Sequence, residues 1–310
     1  MSKRPAVISP NLWIAAVVLV AVVVGVLAVV LIDRSGDGGN KLGERFDYGI
    51  EAYEEVDPSL LLYDEAAEIT TAIGQPRAVA VGPEDRIYVA GEEGIQVFAA
   101  DGTLQRKISL PGVPSCLAVG GAKHAEPGRL YVGIAGRVEV LAGDGTPQAT
   151  WEVPGERARL TSIAVAEQDV FVADCIGHVV LRFNTSGELI GRIGGVEGTR
   201  EVPGLAIPSP FFDVGVSPDQ QVWLVNPAAL RLQAFDRDGD FEMQWGKASA
   251  AIDGFFGCCN PANFVILPDG RFVTAEKGLV RVKVYSPFGD FLGVVAGPRQ
   301  LDWLGRAEGQ

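Results

Sequence analysis

Residues 258–295, CCNPANFVILPDGRFVTAEKGLVRVKVYSPFGDFLGVV, carry four short apolar runs separated by three turns. Phe264-Val265-Ile266-Leu267 is apolar enough to predict a strand buried on both faces. Pro268-Asp269-Gly270 has turn chemistry, because proline presets φ and glycine accepts positive φ. Phe272 and Val273 begin a second strand, which Glu276-Lys277-Gly278 ends. Residues 280–285 alternate as a third, half-buried strand. Ser286-Pro287-Phe288-Gly289 turns the chain, and residues 291–295 form the fourth strand.

The same unit recurs upstream. Five apolar-x-apolar triplets open the repeats: Val79-Ala80-Val81, Leu117-Ala118-Val119, Ile163-Ala164-Val165, Val214-Gly215-Val216 and Phe264-Val265-Ile266. A second strand follows each, at Ile87-Tyr88-Val89, Leu130-Tyr131-Val132, Val170-Phe171-Val172, Val222-Trp223-Leu224 and Phe272-Val273. The third strand ends on a bulky residue with glycine four places on: Phe98/Gly102, Leu141/Gly145, Phe183/Gly187, Phe235/Gly239 and Tyr285/Gly289. That glycine suits the positive φ of a tight hairpin. The bulky positions are 43, 42, 52 and 50 residues apart, the length of a four-stranded propeller blade.

Asp174-Cys175-Ile176-Gly177-His178-Val179-Val180-Leu181-Arg182-Phe183 resembles the NHL repeat, with Gly177 in place of the usual Asn and Val179 in place of Arg or Leu. The resemblance covers about residues 58–296 and implies an all-β, six-bladed propeller. Propellers of this kind serve as scaffolds, sensors, RNA binders, lyases and lactonases, so the fold does not select a function. Tyr63 marks a sixth third-strand position, and closing the sixth blade needs further strands. Residues 298–310 hold Leu301, Trp303 and Leu304 but no second triplet. Either residues 46–52 (Phe46, Tyr48, Ile50) supply a strand, or the last blade is incomplete, or the chain is a shortened one.

Ahead of the repeats, residues 13–32 are twenty uncharged, mostly aliphatic residues in a chain of 310. At about 1.5 Å per residue a helix of that length spans the roughly 30 Å of a bilayer core. The run is longer than a signal-peptide core and ends Leu31-Ile32-Asp33, a poor cleavage site, so it reads as an uncleaved anchor. Lys3 and Arg4 precede it and place residues 1–12 in the cytoplasm. Residues 33–45 are a Gly-rich linker, and residues 46–310 form the propeller outside the cytoplasm, in the periplasm of a bacterium. Lys3 and Arg4 are the only charges before Asp33, so the exported part is even more acidic than the total of −13. That excludes nucleic acid as a partner and leaves residues 13–32 as the membrane contact.

Strand order places Ala78, Cys116, Ser162, Asp213 and Asn263, the residues just before the five triplets, around the mouth of the central channel. Cys116, Ser162, Asp213 and Asn263 are therefore the candidate ligand face, for a protein, peptide or small molecule. Carboxylate, amide and hydroxyl oxygens on the axis suit a divalent cation; the competing structural role is hydrogen bonding to strand ends and water. Of the two histidines, His124 reads as a solvated loop residue and His178 as a structural residue of its repeat. The sequence has neither a His-rich zinc site, nor a Ser-His-acid set, nor a P-loop. Cys258-Cys259, within DGFFGCCNP, is the redox or metal candidate: a vicinal disulfide, a soft-metal ligand pair, or two small residues without chemistry. All four cysteines (Cys116, Cys175, Cys258, Cys259) are expected on one face. These features fit a membrane-anchored binding, scaffold or sensor module; the alternatives are a metal-dependent hydrolase or lyase using Asp213 and Asn263, and a redox or metal-handling protein using the cysteine pair. Neither a cofactor nor a metal can be named from the residues.

Overall fold

The five repeat glycines turn the chain as expected. Gly102, Gly145, Gly187, Gly239 and Gly289 hold φ between +83° and +99°. Each donates its N–H to the carbonyl three residues back, closing a tight hairpin; for Gly289 the acceptor is Ser286, at 3.0 Å. A side chain at these angles is strained, which is why glycine marks every third-to-fourth strand turn.

The computed structural model describes residues 53–195 and 204–301. Twenty strands form five antiparallel sheets, each a meander of four consecutive strands. The first sheet holds β1 (Pro76–Val81), β2 (Ile87–Gly91), β3 (Gly94–Phe98) and β4 (Leu104–Ile108). The second holds β5 (Cys116–Val119), β6 (Leu130–Ile134), β7 (Arg137–Leu141) and β8 (Pro147–Glu152). The third holds β9 (Leu160–Val165), β10 (Asp169–Asp174), β11 (Val179–Asn184) and β12 (Leu189–Ile193). The fourth holds β13 (Val214–Val216), β14 (Val222–Asn226), β15 (Arg231–Phe235) and β16 (Phe241–Trp245). The fifth holds β17 (Asn263–Ile266), β18 (Phe272–Ala275), β19 (Val282–Tyr285) and β20 (Phe291–Ala296). This is a β-propeller with five blades, and every predicted triplet lies on the first strand of its blade.

Apolar side chains fill the wedges between successive blades. Tyr88, Val97 and Leu130 pack the first wedge, and Tyr131, Trp151 and Phe183 the second. Phe171, Phe212 and Leu224 pack the third, and Trp223, Trp245 and Phe272 the fourth. Among the described residues no such core joins the fifth blade to the first. Where the sequence predicts a sixth blade, the described residues form a strap. Leu61 bridges Val294 of β20 in parallel, and Leu62 N–H donates to the Val294 carbonyl at 2.9 Å. The strap then crosses to the first blade, where the Gln96 side-chain oxygen accepts from Ala72 N–H at 2.9 Å and the Ile73 carbonyl accepts from Glu93 N–H at 3.2 Å.

The strap runs along β20 and reaches the first blade at β3 and the β2–β3 turn, and the inner strands β1 and β17 flank an open seam. Val79 and Val81 on β1 are 67% and 63% exposed, and Val265 on β17 is 54% exposed. This corrects the sequence reading of β17 as buried on both faces. Phe264 faces the fourth wedge, but Val265, one residue on, points to the other side of the sheet, where no sixth blade stands among the described residues. His124 is also corrected. It is buried, with Nδ1 2.6 Å from the Ala166 carbonyl and Nε2 2.8 Å from the Tyr131 hydroxyl, and it joins the second blade to the third. His178 sits at φ +52°, with Nδ1 3.0 Å from the Leu205 carbonyl, a structural contact within the ring. Residues 1–52 lie outside the described part, and with them the N-terminal tail, the span 13–32, the linker and the strand expected at residues 46–52. Among the described residues no helix is long and apolar enough to cross a membrane.

Candidate functional site

The five inner strands enclose an axial cavity of about 740 Å³ that continues into the seam. Its wall is chiefly Ala and Val from the triplets, with Val273, Ala275 and Val282 of the fifth blade along the seam. Cys116, Ser162, Asp213 and Asn263 all line it, as strand order requires. Cys116 and Asn263 open β5 and β17, Asp213 directly precedes β13 and Ser162 is third in β9, so the four lie toward one end of the channel.

Asp213 is the centre of this group. Its Oδ1 accepts from its neighbour Val214 N–H at 3.0 Å. Its Oδ2 accepts from Phe264 N–H at 2.8 Å and from the Asn263 amide at 3.5 Å. The carboxylate thus ties the start of β13 to the start of β17, and both oxygens serve the backbone. Burial holds the Asp213 carboxyl above the usual range, against the opposing pull of hydrogen bonds from Ser162, Phe264, Val214 and Asn263. Next to it Thr161 donates to the Phe212 carbonyl at 2.6 Å, a tie between the third and fourth blades.

Cys116 is buried, and burial pushes its thiol up to about 12, far from a reactive thiolate at neutral pH. The charge of Asp213 adds to that rise. All four cysteines are free thiols. Cys258 is exposed, and Cys259 is buried at φ +63°. The loop bearing them is fastened over the β18–β19 turn: Asn260 accepts from Lys277 N–H at 2.9 Å, and its amide donates to the Lys277 carbonyl at 3.0 Å. Among the described residues no three His, Cys, Asp or Glu side chains come together as a metal site.

The sequence reading did not single out a buried charge cluster in the fifth blade. Glu276, Arg281 and Lys283 are at most 1% exposed at their side chains. Glu276 Oε1 lies 3.0 Å from Arg281 and 2.7 Å from Lys283, and its Oε2 accepts from Phe256 N–H at 2.8 Å. Arg281 donates to the Ala250 carbonyl at 3.1 Å, and Lys283 to the Gly254 carbonyl. The cluster therefore anchors the loop that leads to Cys258-Cys259. Lys283 also stacks over Phe255 and Tyr285, with Nζ 4.8 and 5.3 Å from their centroids. The signal for it was the alternation of Arg281, just before β19, with Lys283 and Tyr285 on one face, opposite Val282 and Val284.

No family model and no curated protein sequence matches this chain. Solved structures do resemble it. One is a protein of unknown function from Bacteroides caccae, at 13% identity over 73% of this chain and 83% of that one, with a TM-score of 0.55. A gluconolactonase from Xanthomonas campestris gives 19% identity over 72% and 76%, with a TM-score of 0.53. A catalytically inactive virginiamycin B lyase from Staphylococcus aureus, with quinupristin, gives 10% identity over 73% and 72%, with a TM-score of 0.51. Identities this low establish a common β-propeller fold and nothing about chemistry.

Proposed function

We propose that this chain is a membrane-tethered binding module of NHL-repeat type, which takes an apolar segment of a protein, a peptide or a small molecule into its axial cavity and seam. The observation that carries this is the exposure of Val79, Val81 and Val265 on facing strands, continuous with a cavity of about 740 Å³. Contiguous exposed aliphatic surface in a concave site is the usual mark of a binding surface. The anchor at residues 13–32 supports placement at a membrane, with the propeller on the extracytoplasmic side.

A second reading, a metal-dependent hydrolase or lyase, is compatible with the fold shared with the gluconolactonase and the lyase. It draws on Asp213 and Asn263 at the channel mouth. In that reading a cation competes with the backbone and amide donors already on both Asp213 oxygens, which is why binding is favoured over catalysis. The redox or metal reading through the cysteine pair draws on Cys258, the exposed one of the two thiols.

Titrating residues 45–310 with an anilinonaphthalene sulfonate dye, alongside equilibrium dialysis against divalent cations, separates these. Saturable dye binding near one per chain, without a stoichiometric cation, is the expected result. A tightly held cation released by Asp213→Asn would overturn it in favour of the enzyme.

A further inference from the structure

The seam opens beside the end of β20, because Val282, on its wall, pairs with Ala296. After β20 the chain turns back on itself. Leu301 N–H donates to the Gly297 carbonyl at 3.2 Å, and the Gln300 side chain accepts from Gly297 N–H at 3.0 Å. The described chain stops at Leu301, itself exposed, with residues 302–310 (DWLGRAEGQ) still to come. Nine extended residues reach about 30 Å. The four strands of a blade, about 4.8 Å apart, are only about 15 Å across. The segment thus starts beside the end of β20, the outermost strand of the fifth blade, and is long enough to reach the inner strand. Trp303-Leu304 is its only pair of large apolar residues, and the residues around them are mostly small, polar or charged.

We propose that residues 302–310 fold back into the seam, with Trp303-Leu304 set between the Val265 and Val282 wall and the Val79 and Val81 wall. The inference rests on the binding reading, since the segment would occupy the space assigned to ligand. It then acts as a competitor within the same chain. An attached segment is present at millimolar effective concentration, so a ligand has to displace it. Burying an aromatic ring against the exposed valines also supplies part of the contact that a sixth blade would have made.

The full chain carrying Val265→Cys tests this by its rate of N-ethylmaleimide labelling, read peptide by peptide, with Cys258 as internal reference. Adding Trp303→Ala and Leu304→Ala is expected to speed labelling at position 265 about tenfold or more and to leave Cys258 unchanged. Trp303→Phe, which keeps an aromatic ring, is expected to restore protection. Equal rates with and without the anchor residues would overturn the proposal. Protection that disappears on dilution would overturn it too, because a second copy would then be the occupant. Equal labelling alongside retained dye binding defeats the tail alone. Anchor-dependent protection, with no dye binding even after Trp303→Ala and Leu304→Ala have cleared the seam, defeats the ligand reading alone.

Discussion

Replacing Glu276 by Gln keeps its size and removes its charge, and leaves Arg281 and Lys283 as two buried cations without an anion. Breaking a buried pair by removing one partner costs about 3–5 kcal/mol. For a domain of this size that is a fall in Tm of about 6–20 °C, at about 2–4 °C per kcal/mol. The pH dependence adds a second, independent sign. Burial pushes the Lys283 amine from 10.5 down to about 8, against the pull of Glu276. Between these values the unfolded chain binds more protons than the folded one, so this group makes stability rise with pH across that window, while its full penalty stands below about pH 8. Tyr285, whose hydroxyl is raised above 10.0 by burial, reverses the trend above about pH 10. In Glu276→Gln the ammonium has lost its partner, so the deficit against wild type is expected to shrink as the pH goes from about 7 to 9.5. Circular dichroism melts of residues 45–310 at both pH values measure this. Glu276→Gln with Lys283→Met, which removes the surplus cation, is expected to recover part of the loss. A Tm deficit below about 2 °C at pH 7, or one equal at both pH values, would refute the reasoning.

Other expectations follow from single positions. Gly289→Val and Gly239→Val should each lower Tm more than Gly102→Ala, since a Cβ at Gly289 sits 2.6 Å from the Trp245 ring and at Gly239 3.2 Å from the Arg192 carbonyl; equal melting temperatures would show the turns are not what glycine is for. Removing residues 1–44 should yield a soluble, β-rich protein, because all five blades lie beyond them; a helical or insoluble product under native expression counts against that boundary. Asp213→Asn should cost about 1–3 kcal/mol by leaving one backbone donor unpaired. The raised Asp213 carboxyl makes wild-type stability fall as pH rises from its ordinary 3.8, so the advantage of wild type over Asp213→Asn is largest in acid and narrows as the pH goes up, as urea midpoints across pH would record. Native alkylation should reach Cys258 first and Cys116 last, and mass spectrometry of unreduced peptides covering residues 253–271 should show Cys258 labelled and Cys259 protected; a bond between them would restore the vicinal-disulfide reading.

The propeller was legible because its signals are local and repeated. A triplet such as Val214-Gly215-Val216, a second strand at Val222 and a turn at Gly239 each follow from short-range geometry, and five copies in register leave one architecture. The position of Asp213 at the channel mouth was legible for the same reason, since strand direction alone fixes it. What Asp213 binds was not, because its partner Phe264 N–H lies 51 residues away on another blade. The Glu276–Arg281–Lys283 cluster was hidden likewise. Glu276 opens what reads as a polar turn and Arg281 lies in what reads as a half-buried strand, and only the loop through Gly254 and Phe256, folding over them, buries the charge. Val265 was misread because the hydrophobic pattern of a strand records two apolar faces, not whether a neighbouring blade is there to cover both.

The most direct measurement is the dye affinity of residues 45–310 carrying Val79→Asp and Val265→Asp, set beside Asp213→Asn. A charge in the apolar seam should weaken binding about tenfold or more, while Asp213→Asn, which alters a strand tie, should leave it within about twofold. Unchanged affinity in the valine variants, with binding lost in Asp213→Asn, would contradict the apolar seam as the ligand site and move function to the carboxylate at the channel mouth.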